Sequence, residues 1–195
     1  MSVQASEAKD DFPGIIVITG GMGAGKSTVA QALAERLPKS VHLRGDLFRR
    51  LIIKGRVEMS PDPVPEAVKQ LRLRYDLAWD VAAKYAEAGF TVVYQDVILG
   101  EFLGWTVERL QAYRPAVIVL DPSAETLTAR DKGRTKNIYG DPVHGSWTAE
   151  MMRQVLHEQT PRVGRWIDTS AQSVDETVDA ILAGFKGAGA ERSAG

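Results

Sequence analysis

Two rhythms of apolar and polar residues alternate along this chain. Ile15-Ile16-Val17-Ile18 is a short β-branched run ended by Gly20-Gly21, the pattern of a strand buried on both faces. From Lys26 to Leu37 the spacing changes: Val29, Leu33 and Leu37 share one helical face, and Pro38 stops the run. Ser40-Val41-His42-Leu43 predicts a second strand, and Asp46 to Ile53 a helix carrying Leu47, Phe48 and Leu51. Gly55 to Pro65 reads as a loop with Pro61, Pro63 and Pro65. Glu66 to Ala88 predicts a long helix, with Leu71, Tyr75, Ala78, Trp79, Ala82 and Tyr85 in helical period and Gly89 as its C′ residue.

Phe90-Thr91-Val92-Val93-Tyr94 predicts the third strand and Ala116-Val117-Ile118-Val119-Leu120 the fourth; no element is assigned to residues 101–115. Helices are expected from Ser123 towards Lys132 and from Ala149 to His157, then a short strand, Arg165 to Asp168. Ser173-Val174-Asp175-Glu176 is a capping box opening a last helix through Ala183. Strands alternating with helices imply an α/β fold, a parallel sheet with helices on both faces. Ligands on such sheets sit beyond the carboxyl ends of the strands. The small, polar ends, 1–12 and 187–195, are expected to be disordered, leaving a single domain over 13–186.

Composition narrows the function classes. With 195 residues, 44% apolar, one core is expected. A net charge of −1 argues against a nucleic-acid partner or an anionic membrane surface. Cysteine is absent, which removes disulfides, thiolate metal sites and a thiol nucleophile. No apolar run approaches the roughly 18 residues of a membrane span. Met1 to Asp11 lacks the pattern of a signal peptide, so a cytoplasmic location is expected.

Between the first strand and first helix lies Gly20-Gly21-Met22-Gly23-Ala24-Gly25-Lys26-Ser27-Thr28, which meets G-x-x-x-x-G-K-[ST] at every fixed position. Glycines let successive amides turn towards phosphate oxygens, and the helix aims its positive end at the same anion. Lys26 is expected to reach the β- and γ-phosphates of ATP, with the Ser27 hydroxyl on Mg2+. A guanine-reading N-K-x-D segment is absent; the Lys-Asn pair at 136–137 has the reverse order. A phosphotransferase further needs an acceptor hydroxyl, a base and cations over the transferring group.

Asp46 follows the second strand, where a carboxylate can accept a proton from a bound hydroxyl; a helix N-cap is the plainer role. Asp96 closes the third strand after mostly apolar residues, suiting it to the Mg2+ shell or the acceptor. Asp121, followed by Pro122 and Ser123, fits turn chemistry better. Arg130 and Arg134 share a helical face in a basic cluster with Lys132 and Lys136, and the segment of about 130–147 is expected to be a lid whose arginines neutralise phosphate charge. A solvated helix end is the alternative. Arg44, Arg49, Arg50 and Arg56 are open to two readings, acceptor or phosphate contact and solvated surface. Tyr94, Gln95 and Val97 to Leu99 are candidate walls of the acceptor pocket. Tyr75, Trp79 and Tyr85 fit the core better than a ligand box, and His144 and His157 fit ordinary hydrogen bonding.

The cradle, Gly45-Asp46-Leu47, Val93-Tyr94-Gln95-Asp96-Val97-Ile98-Leu99-Gly100, Arg130 with Arg134, His157-Glu158 and Asp168-Thr169 together resemble the chloramphenicol phosphotransferase-like group of antibiotic and small-molecule kinases, over most of residues 14–184. The likeness implies a P-loop NTPase three-layer sandwich with a five-stranded parallel sheet in order 2-3-1-4-5, ATP·Mg2+ on Lys26 and Ser27, and Asp46 as proton acceptor. Met22-Gly23 and the stretch from Arg49 to Pro65 depart from that group's pattern. Gluconate-kinase-like, zeta-toxin-like and tunicamycin-resistance proteins share the scaffold. The expected activity is phosphorylation of a small-molecule hydroxyl, on an antibiotic or a sugar-like metabolite. Alternatives are an ATP-dependent drug-sequestering protein, a sugar or nucleoside kinase, and a nucleic-acid 5′-hydroxyl kinase.

Overall fold

The computed structural model describes residues 12–132 and 147–192, with side chains placed over 12–130 and 147–185. Five strands form the sheet: β1 (Ile15–Gly20), β2 (Ser40–Arg44), β3 (Thr91–Gln95), β4 (Ala116–Leu120) and β5 (Arg165–Ile167). All pair in parallel, in the order β2-β3-β1-β4-β5. Among the described residues seven helices accompany them: α1 (Lys26–Glu35), α2 (Asp46–Leu51), α3 (Pro65–Glu87), α4 (Glu101–Leu110), α5 (Ala124–Lys132), α6 (Ala149–Glu158) and α7 (Val174–Arg192). This is the α/β P-loop NTPase fold.

Strand period two creates the three layers. Ile15 and Val17 of β1, Val92 and Tyr94 of β3, and Val117 and Val119 of β4 face Tyr75, Ala78, Trp79 and Ala82 of α3 and Leu103 and Leu110 of α4. Their neighbours Ile16, Ile18, Val93, Ile118 and Leu120 point the other way, onto Val29, Ala30 and Leu33 of α1 and Val178 and Ile181 of α7. Because β1 has partners on both sides and helices above and below, its first four residues are fully buried. A run without polar alternation is the signature of that position.

The helix ends follow their local chemistry. Gly89, at φ 77°, closes α3 in a Schellman arrangement, Phe90 N–H to Tyr85 O at 3.1 Å and Gly89 N–H to Ala86 O at 3.0 Å. Phe90 then meets Tyr85 edge to face, the apolar contact that accompanies the motif. At α7 the capping box forms as expected, with Glu176 N–H on Ser173 Oγ at 3.2 Å and Ser173 N–H on Glu176 Oε2 at 2.8 Å.

Two elements depart from expectation. Helix α4 occupies a stretch to which no element is assigned from sequence, and a 3-10 turn, Gln111–Tyr113, follows it. Its Gly104, Thr106 and Val107 are weak helix formers, so burial of Leu103 and Leu110 under the sheet forms it instead. Helix α7 continues past Ala183 to Arg192, across residues expected to be disordered; Ala188, Ala190, Glu191 and Arg192 favour the helix enough to carry its glycines. At the other end Phe12 is placed against Phe185 of α7, ring centroids 6.3 Å apart, and residues 1–11 lie outside the described residues. Among the described residues no helix is long and apolar enough to cross a membrane.

Candidate active site

The glycine turn between β1 and α1 stands at the carboxyl edge of the sheet, and glycine is required at several of its positions. Gly23 and Gly25 have φ of 80° and 89°, which side chains disfavour. A Cβ on Gly20 would lie 2.4 Å from Leu120 O. Met22 and Ala24 are buried in the turn, whereas Ser27 and Thr28 on the first turn of α1 are exposed. The amides at that helix start have no intrahelical acceptor and carry its positive dipole. Lys26 Nζ arches back over the turn, donating to Gly20 O at 3.0 Å and Gly21 O at 2.8 Å. The result is a glycine turn, mostly buried and opening to solvent at Ser27 and Thr28, whose amides and one ammonium suit a polyphosphate.

Helices α5 and α6 close the cradle from the side. Leu127 of α5 and Met152 of α6 stand at contact distance from where Cβ atoms on Gly23 and Gly21 would be. Arg130, also on α5, donates from Nη2 to Thr169 O at 2.9 Å, just past β5, and its Nη1 stands 4.0 Å from a Cβ built on Gly25. Its guanidinium therefore spans the mouth of the cradle. Arg134 and most of the expected lid lie outside the described residues, leaving Arg130 to Lys132 and Trp147 at its ends.

Asp96 lies at the end of β3, fully buried, between the cradle and a cavity. Its Oδ1 accepts from Arg74 Nη2 at 3.1 Å and Val97 N–H at 2.8 Å, while Oδ2 has no hydrogen-bond partner among the described residues. Burial pushes its pKa up, and the Asp46 charge adds to this; Arg74, the Val97 amide and Lys26 pull the other way without cancelling it. Gly45 is glycine because of this side chain: a Cβ there would sit 2.1 Å from Asp96 Oδ2. Asp96 and Lys26 sense each other's charge, so both belong to one electrostatic site.

Asp46 opens α2 one residue after Gly45. Its two oxygens accept from Arg49 Nε at 2.9 Å and Arg50 Nε at 2.6 Å. Partial burial raises its pKa, but the hydrogen bonds and charges of Arg49 and then Arg50 prevail and hold it below the usual carboxylate value. Asp46 is therefore ionised at neutral pH.

The cavity beyond these acids has a volume of about 790 Å³, within the usual range for small ligands. Asp46 and Arg49 of α2, Arg74 and Tyr75 of α3, and Asp96, Val97 and Leu99 after β3 line it, whereas Ile98, within the expected wall stretch, is fully buried and does not. The floor is held by Thr19, whose hydroxyl donates to Ile98 O at 2.8 Å and accepts from Ile98 N–H at 2.9 Å, and by Tyr75, whose OH donates to Val97 O at 2.6 Å.

Tyr94 corrects the sequence reading. It is fully buried against α3 and α4 and takes no part in the cavity wall, because even positions of β3 face the core. Gln95, also buried, is likewise not a wall residue. Tyr75, assigned to the core, belongs both to the core and to the wall. Asp121 pairs with α6: its Oδ1 meets His157 Nε2 at 2.9 Å. Sequence reasoning missed Arg74, Glu58, Phe102 and Trp147. The helical period places Arg74 beside Tyr75 and one turn from Gln70, but nothing local tells which face of α3 meets Asp96.

The fold is shared with enzymes that differ from this chain in most positions. A gluconokinase from Sinorhizobium meliloti 1021 superposes with a TM-score of 0.60 at 20% identity, over 93% of this chain and 97% of that one. The APS kinase of Mycobacterium tuberculosis, solved in complex with AMPPNP and APS, gives a TM-score of 0.63 at 18% identity, over 87% and 95%. In sequence, a UPF0200 protein of Aeropyrum pernix is 36% identical over 110 residues, 52% of this chain, and the match spans only 58% of that relative's length. The pattern of the AAA domain family covers residues 16–153, from β1 through the cradle and the cavity-lining helices into α6, and the chain belongs to that family.

Proposed function

We propose that the protein transfers the terminal phosphoryl group of ATP to a hydroxyl of a small molecule held in the cavity. The observation that carries the reading is the position of Asp96 and Asp46: both line the cavity, and Asp96 senses Lys26 of the cradle. Lys26, the turn's amides and Arg130 would hold the phosphates. Ser27 and Asp96 fit the side of a Mg2+ ion, a hydroxyl at an exposed helix start and a carboxylate with an oxygen to spare. Such an ion would supply charge neutralisation on the phosphates when bound.

Asp46, ionised at neutral pH, would accept the acceptor's hydroxyl proton as its oxygen attacks phosphorus and ADP leaves. Its arginine partners would hold it on the cavity side of Gly45. Arg134 is proposed to join Arg130 over the transferring group. The acceptor is proposed to be a hydroxylated antibiotic or a sugar-like metabolite, as for the chloramphenicol phosphotransferase-like group, and the enzyme to act in the cytoplasm on neither nucleic acid nor membranes.

One observation favours a second reading. Both Asp46 oxygens are already engaged by guanidinium groups, an arrangement that also suits a nucleotide-dependent binder that sequesters a drug without chemistry. An ADP-release screen over antibiotics, sugars and nucleosides separates the two. Acceptor-dependent release that falls about 10²–10⁴-fold in Asp46→Asn supports phosphoryl transfer. Tight ligand binding without release supports sequestration, and acceptor-dependent release undiminished in Asp46→Asn removes Asp46 from the role of proton acceptor.

A further inference from the structure

Two arginines of the cavity wall converge on one carboxylate. Arg49 Nη1 meets Glu58 Oε1, and Arg56 Nε lies 3.0 Å from the same oxygen. A pair of guanidinium groups at a cavity wall is what recognises a phosphate, sulfate or carboxylate on a ligand. Here the chain supplies the anion itself, with the Glu58 side chain only 18% exposed.

Glu58 is not a free-swinging partner. It belongs to the loop between α2 and α3, and Gln70 of α3 fastens that loop just before it. The Gln70 side chain accepts from Val57 N–H at 2.9 Å and donates to Gly55 O at 2.8 Å. Glu66 Oε1 in turn accepts from Gln70 Nε2 at 2.9 Å, fixing which way the amide points. On its other side Arg49 is held by Asp46. An anionic group approaching Arg49 therefore meets carboxylates on both flanks. Over the described cavity wall Asp46, Glu58, Asp96 and Glu101 face Arg49, Arg56 and Arg74, so no cationic excess remains for an anionic ligand. The remaining wall offers aromatic and aliphatic surface, notably Tyr75, Phe102, Trp147 and Met152.

Resting on the reading of this cavity as the acceptor site, we propose that Glu58 is its specificity-determining residue. It fills the two-arginine position from within, so that the cavity takes uncharged hydroxyl compounds with an apolar or aromatic body and rejects acceptors bearing phosphate, sulfate or carboxylate. Rejection follows from like-charge contact and from the cost of displacing Glu58 from two guanidinium partners. Replacing Glu58 by an uncharged isostere removes the carboxylate that Arg49 and Arg56 share and takes the described wall from four acids against three arginines to three against three.

The test uses binding rather than turnover, so that it can fail independently of phosphoryl transfer. The probes are 2-naphthalenemethanol and naphthalene-2-sulfonate, alike in body and different in charge, titrated by calorimetry into the full chain with ADP and Mg2+ present and absent. The wild-type protein is expected to bind the alcohol at least tenfold more tightly than the sulfonate. Glu58→Gln should improve sulfonate affinity at least tenfold and leave the alcohol within about twofold. Glu58→Asp, which keeps the charge, should retain the wild-type preference. A wild-type protein that prefers the sulfonate, a preference unmoved by Glu58→Gln, or no binding of either probe to either protein overturns the proposal. If the preference switches as expected while no acceptor releases ADP, the specificity assignment stands and the kinase reading falls.

Discussion

The cradle and the cavity touch at Asp96 and Met152, yet they are built in opposite ways. The cradle is one continuous stretch, Gly20 to Thr28, and its working groups are mainly backbone amides placed by positive-φ glycines. The cavity draws on α2, the loop behind it, α3, the segment after β3, α4 and α6, and it is lined by side chains in ion pairs, of which Arg74–Asp96 bridges α3 and the end of β3. A turn made of backbone depends most on its glycines, at φ of 80° and 89° for Gly23 and Gly25. A site made of ion pairs can be re-specified by a single substitution. The contrast agrees with a scaffold that keeps its fold at 18–20% identity to a gluconokinase and an APS kinase, enzymes whose names denote different acceptors.

Substitutions can break that contrast or sharpen it. The largest effect is expected at Lys26: Lys26→Ala should lower turnover about 10²–10³-fold and weaken AMPPNP binding in parallel, measured by calorimetry. Binding of an uncharged probe in the cavity should stay within about twofold. A mutant that loses both together would show that the two regions are not separable.

Next comes Gly45, where the regions meet. Gly45→Ala forces a methyl group onto Asp96 and should cost about 1–3 kcal/mol in denaturant unfolding, as overpacked cores do. A mutant as stable as the parent would mean that Asp96 moves freely. A smaller loss, about 1 kcal/mol, is expected for Tyr75→Phe, which removes the hydrogen bond to Val97 O beneath the cavity floor. Its signature should be a raised KM for the acceptor with the KM for ATP unchanged; the reverse would place Tyr75 in the cradle's account.

The finest test is a pH profile. Asp46 is held below the ordinary carboxylate value and Asp96 above it, so on acidification Asp96 takes up its proton first. If ionised Asp96 is needed, the acid limb of kcat reports Asp96. Arg74 favours the ionised form, so Arg74→Gln should raise the Asp96 pKa further and move that limb to higher pH. A limb that stays in place in Arg74→Gln, or moves to lower pH, assigns the titration elsewhere.

Legibility in the sequence follows the same division. The cradle, the four long strands and the cap of α7 could be read because each depends on neighbours within a few residues. Asp46 and Asp96 were readable as strand-end acids, but not that one is clamped by Arg49 and Arg50 while the other keeps an unpartnered oxygen. Tyr94 was misassigned because its place in β3 gives no sign that α3 and α4 cover it on the face that carries the cavity. Helix α4 escaped notice because Gly104, Thr106 and Val107 oppose the helix that burial imposes.

By itself, then, the sequence determined the alternation of strands and helices, the glycine turn with its lysine, and the presence of acids at the ends of strands. These rest on backbone preferences and short-range periodicity, which any window of the chain contains. Only the tertiary structure decided which side of α3 meets Asp96, that Gly45 must leave room for that carboxylate, and that Glu58 occupies the Arg49–Arg56 pair. The contacts to Asp96 join residues far apart in sequence and those to Glu58 depend on how its loop folds back, so their energies exist only after packing has removed water and fixed the distances between charges.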